Sequence, residues 1–338
     1  MTQQPHHANP QEWVIGLDLG GTNIRIRLQS TEQRDFEECR TEVQSGSSDA
    51  VVQQIADIIH DLCQQHSQRY DETPQRLFVA AAAAAMLDPT GKIVRKAPNL
   101  GWEEFPFADQ LSQALSYPSE VILFNDLKAA TFGEFVEGAG KDFSDLVCVL
   151  VGSGVGSGFV LGGILQQGSH RVAGEFGHVK VVMKGGRLCG CGGYGCLEAY
   201  VGGHNLARIL QEVALEKKGS YLHKRFQEVG IEEISPKDLE QGLQAKDPQC
   251  QEIAEETTDY LAKALADLLT VLDPGCLILG GGVLGNSPLL YQKTVEKIKG
   301  FISTPTAEYL HITQPQLGDR AGLIGAMALA KQHRSSQR

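Results

Sequence analysis

From Trp13 the chain reads WVIGLDLGGTNIRIRLQ: a run rich in Val, Ile and Leu, a Gly20-Gly21-Thr22 turn, then strict apolar-polar alternation. That pattern predicts a hairpin across residues 13–29. A polar helix is expected over about 48–68, then an apolar strand Leu77–Ala85, a turn at Asp88–Gly91, and a strand Val121–Phe124 ending on Asn125-Asp126. In mid-chain LVCVLVGSGVGSGFVLGG repeats the strand, glycine turn and strand, which suggests two related halves. Apolar residues at Ile253, Tyr260, Leu261, Ala264, Leu265, Leu268, Leu269 and Leu272 share one helical face, and Asp273-Pro274 closes that helix before the strand CLIL runs into three glycines. Ala321–Ala330 reads as a last helix, and the tail QHRSSQR as frayed.

At 338 residues the chain exceeds the size at which one core keeps growing, so two domains with a cleft between them are expected. The net charge of -11 disfavours nonspecific affinity for nucleic acid or an anionic membrane. No apolar run is long enough to cross a bilayer, and the opening MTQQPHHANP has no signal-peptide core, so a cytoplasmic protein is expected. Three of the eight cysteines crowd into CGCGGYGC, which in a reducing compartment favours metal over disulfides.

The glycine turns carry the candidate chemistry. Gly20, Gly21, Thr22 and Asn23 let backbone N–H groups face a phosphate, and Asp18, ending its strand, is placed to hold Mg²⁺ through water. A plain tight hairpin accounts for the same residues. Gly152-Ser153-Gly154-Val155-Gly156 supplies a second such turn. The third cluster, Gly280–Gly285, formally contains G-x-G-x-x-G, but a long helix precedes it and Glu308 is the only plausible late acid for the fingerprint. Gly281 and Gly282 are better read as a floor under adenine or ribose, or as a simple strand-to-helix turn.

Asn125 and Asp126 sit where a strand stops, the usual place for ligand-facing residues in an α/β sheet. Asp126 suits a general base taking a proton from a sugar hydroxyl; helix capping is the alternative. His178, Cys189, Cys191 and Cys196 form a Cys₃His set that would close a structural zinc site, against free buried thiols. Glu175 and Glu198 flank it and suit hydrogen bonds to sugar hydroxyls, or are surface carboxylates.

Together GLDLGGTNIR, APNLGW, FNDLKAATFGE, VGSGVGSGFVLGGILQQGSHRVAGEFGH, CGCGGYGCLEAY and LILGGGV resemble the ROK family of sugar kinases and sugar-responsive repressors over nearly the whole chain. The resemblance implies an α/β, actin-like ATPase (ribonuclease H-like) duplicated two-domain fold. Residues 1–126 plus 319–338 would form the smaller domain and 127–318 the larger one, with the zinc loop. It implies ATP, Mg²⁺ and zinc as cofactors, a sugar and ATP as small-molecule partners, and a homodimer. Asp126 would be the base, with Asn99, Asn125, Glu175, His178 and Glu198 around the sugar and His178 serving sugar and zinc at once. Glucose is the first substrate expected, then N-acetylmannosamine or N-acetylglucosamine. One departure stands out: family kinases carry a Gly-x-Pro-Gly type turn where this chain has alanine at Ala82, Ala84 and Ala85, and alanine does not readily take positive φ. That run motivates a catalytically silent sugar binder as an alternative. A repressor would need an N-terminal basic helix-turn-helix, and a dinucleotide oxidoreductase would rest on the third glycine cluster alone.

Overall fold

The computed structural model describes residues 11–30, 35–44 and 46–336. The opening residues 1–10, where a leader segment was sought, and Gln337 and Arg338 of the tail lie outside them. The chain divides into two compact units: one holds the described residues up to Lys141, Gln167–Ala173 and the chain from Leu317, and the other holds Asp142–Gln166 and Gly174–Gln316.

The first unit is built on a five-stranded sheet in the order Glu37–Glu42, Asn23–Ser30, Glu12–Leu19, Arg76–Ala83, Ser119–Asn125. The first three strands are antiparallel and the last two join in parallel. Alternation assigns the faces. Trp13, Ile15, Leu17 and Leu19 share a core with Val51, Ile55 and Ile59 of helix Ser48–Tyr70 and Leu111 of helix Phe107–Ala114. On the opposite face, a Cβ built on Gly16 would meet the Met327 backbone nitrogen at 2.6 Å, so helix Ala321–Ser336 lies directly on the strand. A small antiparallel sheet, Met86–Leu87, Val94–Ala97 and Trp102–Phe105, completes the unit.

The second unit repeats the plan. Its sheet runs Ile164–Leu165, Val155–Leu161, Leu146–Val151, Cys276–Gly280, His311–Thr313, again three antiparallel strands followed by two parallel additions. The core lies between this sheet and helices that include Gly203–Glu216, Pro248–Leu272 and Pro288–Phe301. Among the described residues no helix is long and apolar enough to cross a membrane.

Four expectations are adjusted. A boundary after Asp126 would cut helix Asp126–Val136 at its first residue; the compact units change at Lys141 and Leu317 because Gly133 and Gly325 let that helix and Ala321–Ser336 pack backbone to backbone. The strand expected to reach Ala85 stops at Ala83, where the Ala85 N–H turns back to the Ala83 carbonyl at 2.8 Å. The tail is helical through Ser336 rather than frayed from Gln332. The alanine run is adjusted in placement: Ala80–Ala83, rather than forming a turn, are fully buried strand residues, and no residue from Ala80 to Ala85 has positive φ.

Candidate functional site

The predicted site residues fall into two groups, one per unit. In the first unit, Asp18 pairs across the hairpin with Arg25, whose guanidinium nitrogen is 3.1 Å from the Asp18 carboxylate and which also donates to the Asp319 carboxylate at 2.6 Å. Burial pushes the Asp18 carboxyl above its usual value even against Arg25, and the negative charges of Asp126 and Asp319 push the same way. A carboxylate raised by burial and by neighbouring negative charge favours a cation beside it. Gly20 and Gly21 form the turn, closed by the Gly20 N–H to the Asn23 carbonyl at 2.9 Å, with Thr22 exposed. A Cβ on Gly21 would sit 2.9 Å from Cβ of Asn99, so Asn99, at the tip of the Val94–Phe105 hairpin, borders this turn.

Asn125 caps helix Asp126–Val136, its side-chain oxygen accepting from Leu127 N–H at 3.1 Å and Lys128 N–H at 3.3 Å. The capping alternative therefore describes Asn125. Asp126 accepts one further bond, from Leu127 N–H at 2.8 Å, and burial raises its pKa above 3.8. A poorly solvated carboxylate at a strand end is a stronger base than one in water.

In the second unit the turn Gly152–Gly156 joins the two central antiparallel strands, and the Gly152 N–H closes on the Gly154 carbonyl at 2.9 Å. Here sequence reasoning missed a link. Val155 N–H donates to the Glu198 carboxylate at 2.9 Å, so Glu198 braces the phosphate-type turn as well as facing Cys189, 3.6 Å away. Gly281 shows why only glycine suits this position: its φ is +92°, and a Cβ would meet the Val151 backbone at 2.5 Å. Beside it a cavity of about 420 Å³ is lined by Gly152, Ser153, His204, Lys237, Gly282 and Asn286. That volume is in the range of small-molecule sites. The following helix, Gly282–Gly285, has four residues, too short for the βαβ unit of a dinucleotide fingerprint. His204, Lys237 and Asn286 carried no local signal in the sequence.

Glu175 starts the short 3-10 turn Phe176–His178, which Ser157 holds by donating its hydroxyl to the Gly174 carbonyl at 2.9 Å. Glu175 is exposed, and its carboxylate lies 4.0 Å from Nε2 of His178. The other ring nitrogen, Nδ1, is 3.7 Å from Cys189 Sγ, and Cys191 Sγ is 3.7 Å from Cys196 Sγ. All four ligand atoms lie within 4.8 Å of one another. A tetrahedral zinc with Zn–S near 2.3 Å sets sulfur ligands about 3.8 Å apart, so the donor set fits that ion. Lys180 donates to Cys196 Sγ at 2.9 Å, the contact expected of an ammonium on a thiolate.

Known proteins similar to this chain include sugar kinases and a xylose repressor of Caldicellulosiruptor bescii, the latter 24% identical over 94% of this chain. The chain is 30% identical to a glucokinase of Halalkalibacterium halodurans over 326 residues, 96% of each chain. It is 29% identical to an N-acetylmannosamine kinase of Escherichia fergusonii over 94% of this chain and 98% of that one. The crystal structure of a ROK family glucokinase from Streptomyces griseus in complex with glucose and AMPPNP superposes with a TM-score of 0.68 at 30% identity, over 95% of this chain and 99% of that one. The fold is thus the duplicated actin-like ATPase fold. Since the ROK family model matches from residue 14 to residue 333, a range that spans both units and every glycine turn described above, the chain belongs to the ROK family.

Proposed function

We propose that this chain is an ATP-dependent hexose kinase that transfers the γ-phosphoryl group to the 6-hydroxyl of glucose, with Asp126 as general base. The observation that carries the reading is the half-buried Asp126 carboxylate at the start of its helix, made more basic by desolvation and backed by the Gly20–Thr22 turn and Asp18 in the same unit. The sugar oxygen attacks the γ-phosphorus as Asp126 takes its proton, and ADP leaves with the bridging oxygen. Asp18 would hold Mg²⁺ through water, the ion supplying charge neutralisation of the phosphates when bound. The amides of Gly20–Asn23 and Gly152–Gly156 contact phosphate oxygens, and the cavity beside Gly281 and Gly282 takes adenosine.

Asn99, Asn125, Glu175, His178 and Glu198 bind the sugar hydroxyls. His178, Cys189, Cys191 and Cys196 would hold a zinc ion that fixes the ring of His178, whose Nδ1 faces Cys189 while Nε2, near Glu175, is left to a hydroxyl. The expected assembly, from the family resemblance, is a cytoplasmic homodimer, which sedimentation of the purified protein tests. N-acetylmannosamine is the second acceptor considered, because a kinase of that sugar matches almost as well as the glucokinases. Steady-state ADP release with glucose, mannose, N-acetylglucosamine and N-acetylmannosamine decides between them. A kcat/KM for glucose at or below that for N-acetylmannosamine removes glucose as the acceptor, and no stimulation by any sugar leaves the silent binder.

A further inference from the structure

Arg171 is one of five non-glycine residues with positive φ among the described residues, at +59°. Such a conformation persists where the surroundings over-determine it. Its side chain is unusually well held. Nε donates to the Pro89 carbonyl at 3.1 Å, and one terminal nitrogen donates to the Leu123 carbonyl at 2.9 Å and to the Gln167 side chain at 2.7 Å. The guanidinium packs flat against Gly91, where a Cβ would meet its carbon at 2.5 Å, and stands 5.5 Å from the Phe124 ring centroid.

The turn beneath it is rigid. Asp88 accepts from the Thr90 hydroxyl and from the amides of Thr90, Lys92 and Ile93, between 2.5 and 3.0 Å, and the Gly91 carbonyl accepts from Leu123 N–H at 2.8 Å. Leu123 is therefore fixed at both backbone groups, its N–H by the Asp88–Gly91 turn and its carbonyl by Arg171. On the far side of Asp126, the buried Lys128 donates its ammonium to the Arg171 backbone carbonyl. Arg171 thus grips the chain three residues before Asp126 and two residues after it.

We infer that Arg171 is a positioning residue for catalysis: it clamps the end of strand Ser119–Asn125 and the first turn of helix Asp126–Val136, and so fixes where the Asp126 carboxylate points. This rests on the reading of Asp126 as the general base. Misplacing a reacting group by about 1 Å costs on the order of 10²-fold in rate, whereas the glycine turns and the cavity that take the nucleotide make no contact with the Arg171 side chain.

The test is a double-mutant cycle on the purified zinc-containing protein. Arg171→Gly is suited to it because glycine takes φ of +59° without strain, so loss of fold is not built into the substitution. Expected is a fall in kcat of roughly 10- to 100-fold with the KM for ATP within about twofold, in a protein that still unfolds cooperatively well above the assay temperature. In an Asp126→Asn background the same change should alter residual turnover less than about twofold, because the group being aimed is gone. Arg171→Lys, with one ammonium where the guanidinium spans Pro89 and Leu123, should fall between. The inference is overturned if Arg171→Gly keeps wild-type kcat, if its loss is equal in both backgrounds, or if kcat falls only in step with melting temperature. An inactive Asp126→Asn beside a fully active Arg171→Gly sinks the clamp and leaves the base standing; a near-normal Asp126→Asn sinks both.

Discussion

Replacing Asp126 by Asn should make the enzyme slower and the fold more stable, and the two effects have one cause. Burial holds the Asp126 pKa above 3.8, so the folded chain binds that proton more tightly than the unfolded chain does. The sign follows. The native state gains stability from this group as pH falls through the folded pKa, and at pH 7 it carries the full penalty of a buried charge. The amide is isosteric and its oxygen still accepts from Leu127 N–H, a bond of 2.8 Å in the native protein, but it carries no charge to desolvate. It also takes no proton, so kcat loses a factor of about 10² to 10⁴, equal to roughly 2.7 to 5.4 kcal/mol of barrier at about 1.36 kcal/mol per decade. Coupled ADP release gives the first quantity and thermal unfolding at pH 7 the second. In the parent enzyme the acid limb of kcat/KM, which reports the free enzyme, should have its midpoint above 3.8. The reasoning is refuted if the variant keeps more than about a tenth of wild-type kcat, or if it is both inactive and less stable.

Metal analysis of protein never exposed to chelator should find about one zinc per chain, and Cys196→Ser, at a fully buried ligand, should lose the metal, lower the melting temperature and weaken glucose binding. Gly281→Ala forces a Cβ onto the Val151 backbone at φ +92° and should destabilise by about 1–3 kcal/mol while raising the KM for ATP more than that for the sugar; calorimetry and steady-state kinetics check both. His66, fully buried between Trp13 and Tyr70 with no hydrogen-bond partner on either ring nitrogen, has its pKa lowered by burial against the pull of Glu37 and Glu72. The folded state thus resists protonation, stability falls as pH drops below 6.5, and His66→Phe should flatten that dependence in urea titrations between pH 7 and 5.

What the sequence made legible were features whose cause is local. Both glycine hairpins, the helix Pro248–Leu272 and the strand Cys276–Gly280 follow from apolar spacing and turn residues within a window of about 20 residues or fewer. The Cys₃His set was legible because zinc demands particular donors whatever the fold. The Asp18–Arg25 pair was within reach too, since the hairpin register sets those residues opposite each other. Helix Gly203–Glu216 also announced itself, through Leu206, Ile209, Leu210 and Val213, and was passed over. The small sheet Met86–Phe105 was not legible, because strands of two to four residues span at most two periods of apolar-polar alternation. Nor was the bond from Val155 to Glu198, 43 residues apart, or the clamp of Arg171 on Leu123, 48 residues apart. Those contacts exist only once the sheets have brought the segments together. The alanine run could be read only as the absence of a glycine turn; that Ala80–Ala83 instead continue a buried strand is a property of the folded sheet.

Phosphorus NMR of the zinc-replete protein incubated with MgATP and glucose tests the central claim most directly. The account predicts loss of the γ-phosphate signal with matching growth of ADP and a hexose 6-phosphate ester. ATP that stays intact, or that yields ADP and free phosphate with no sugar ester, contradicts it.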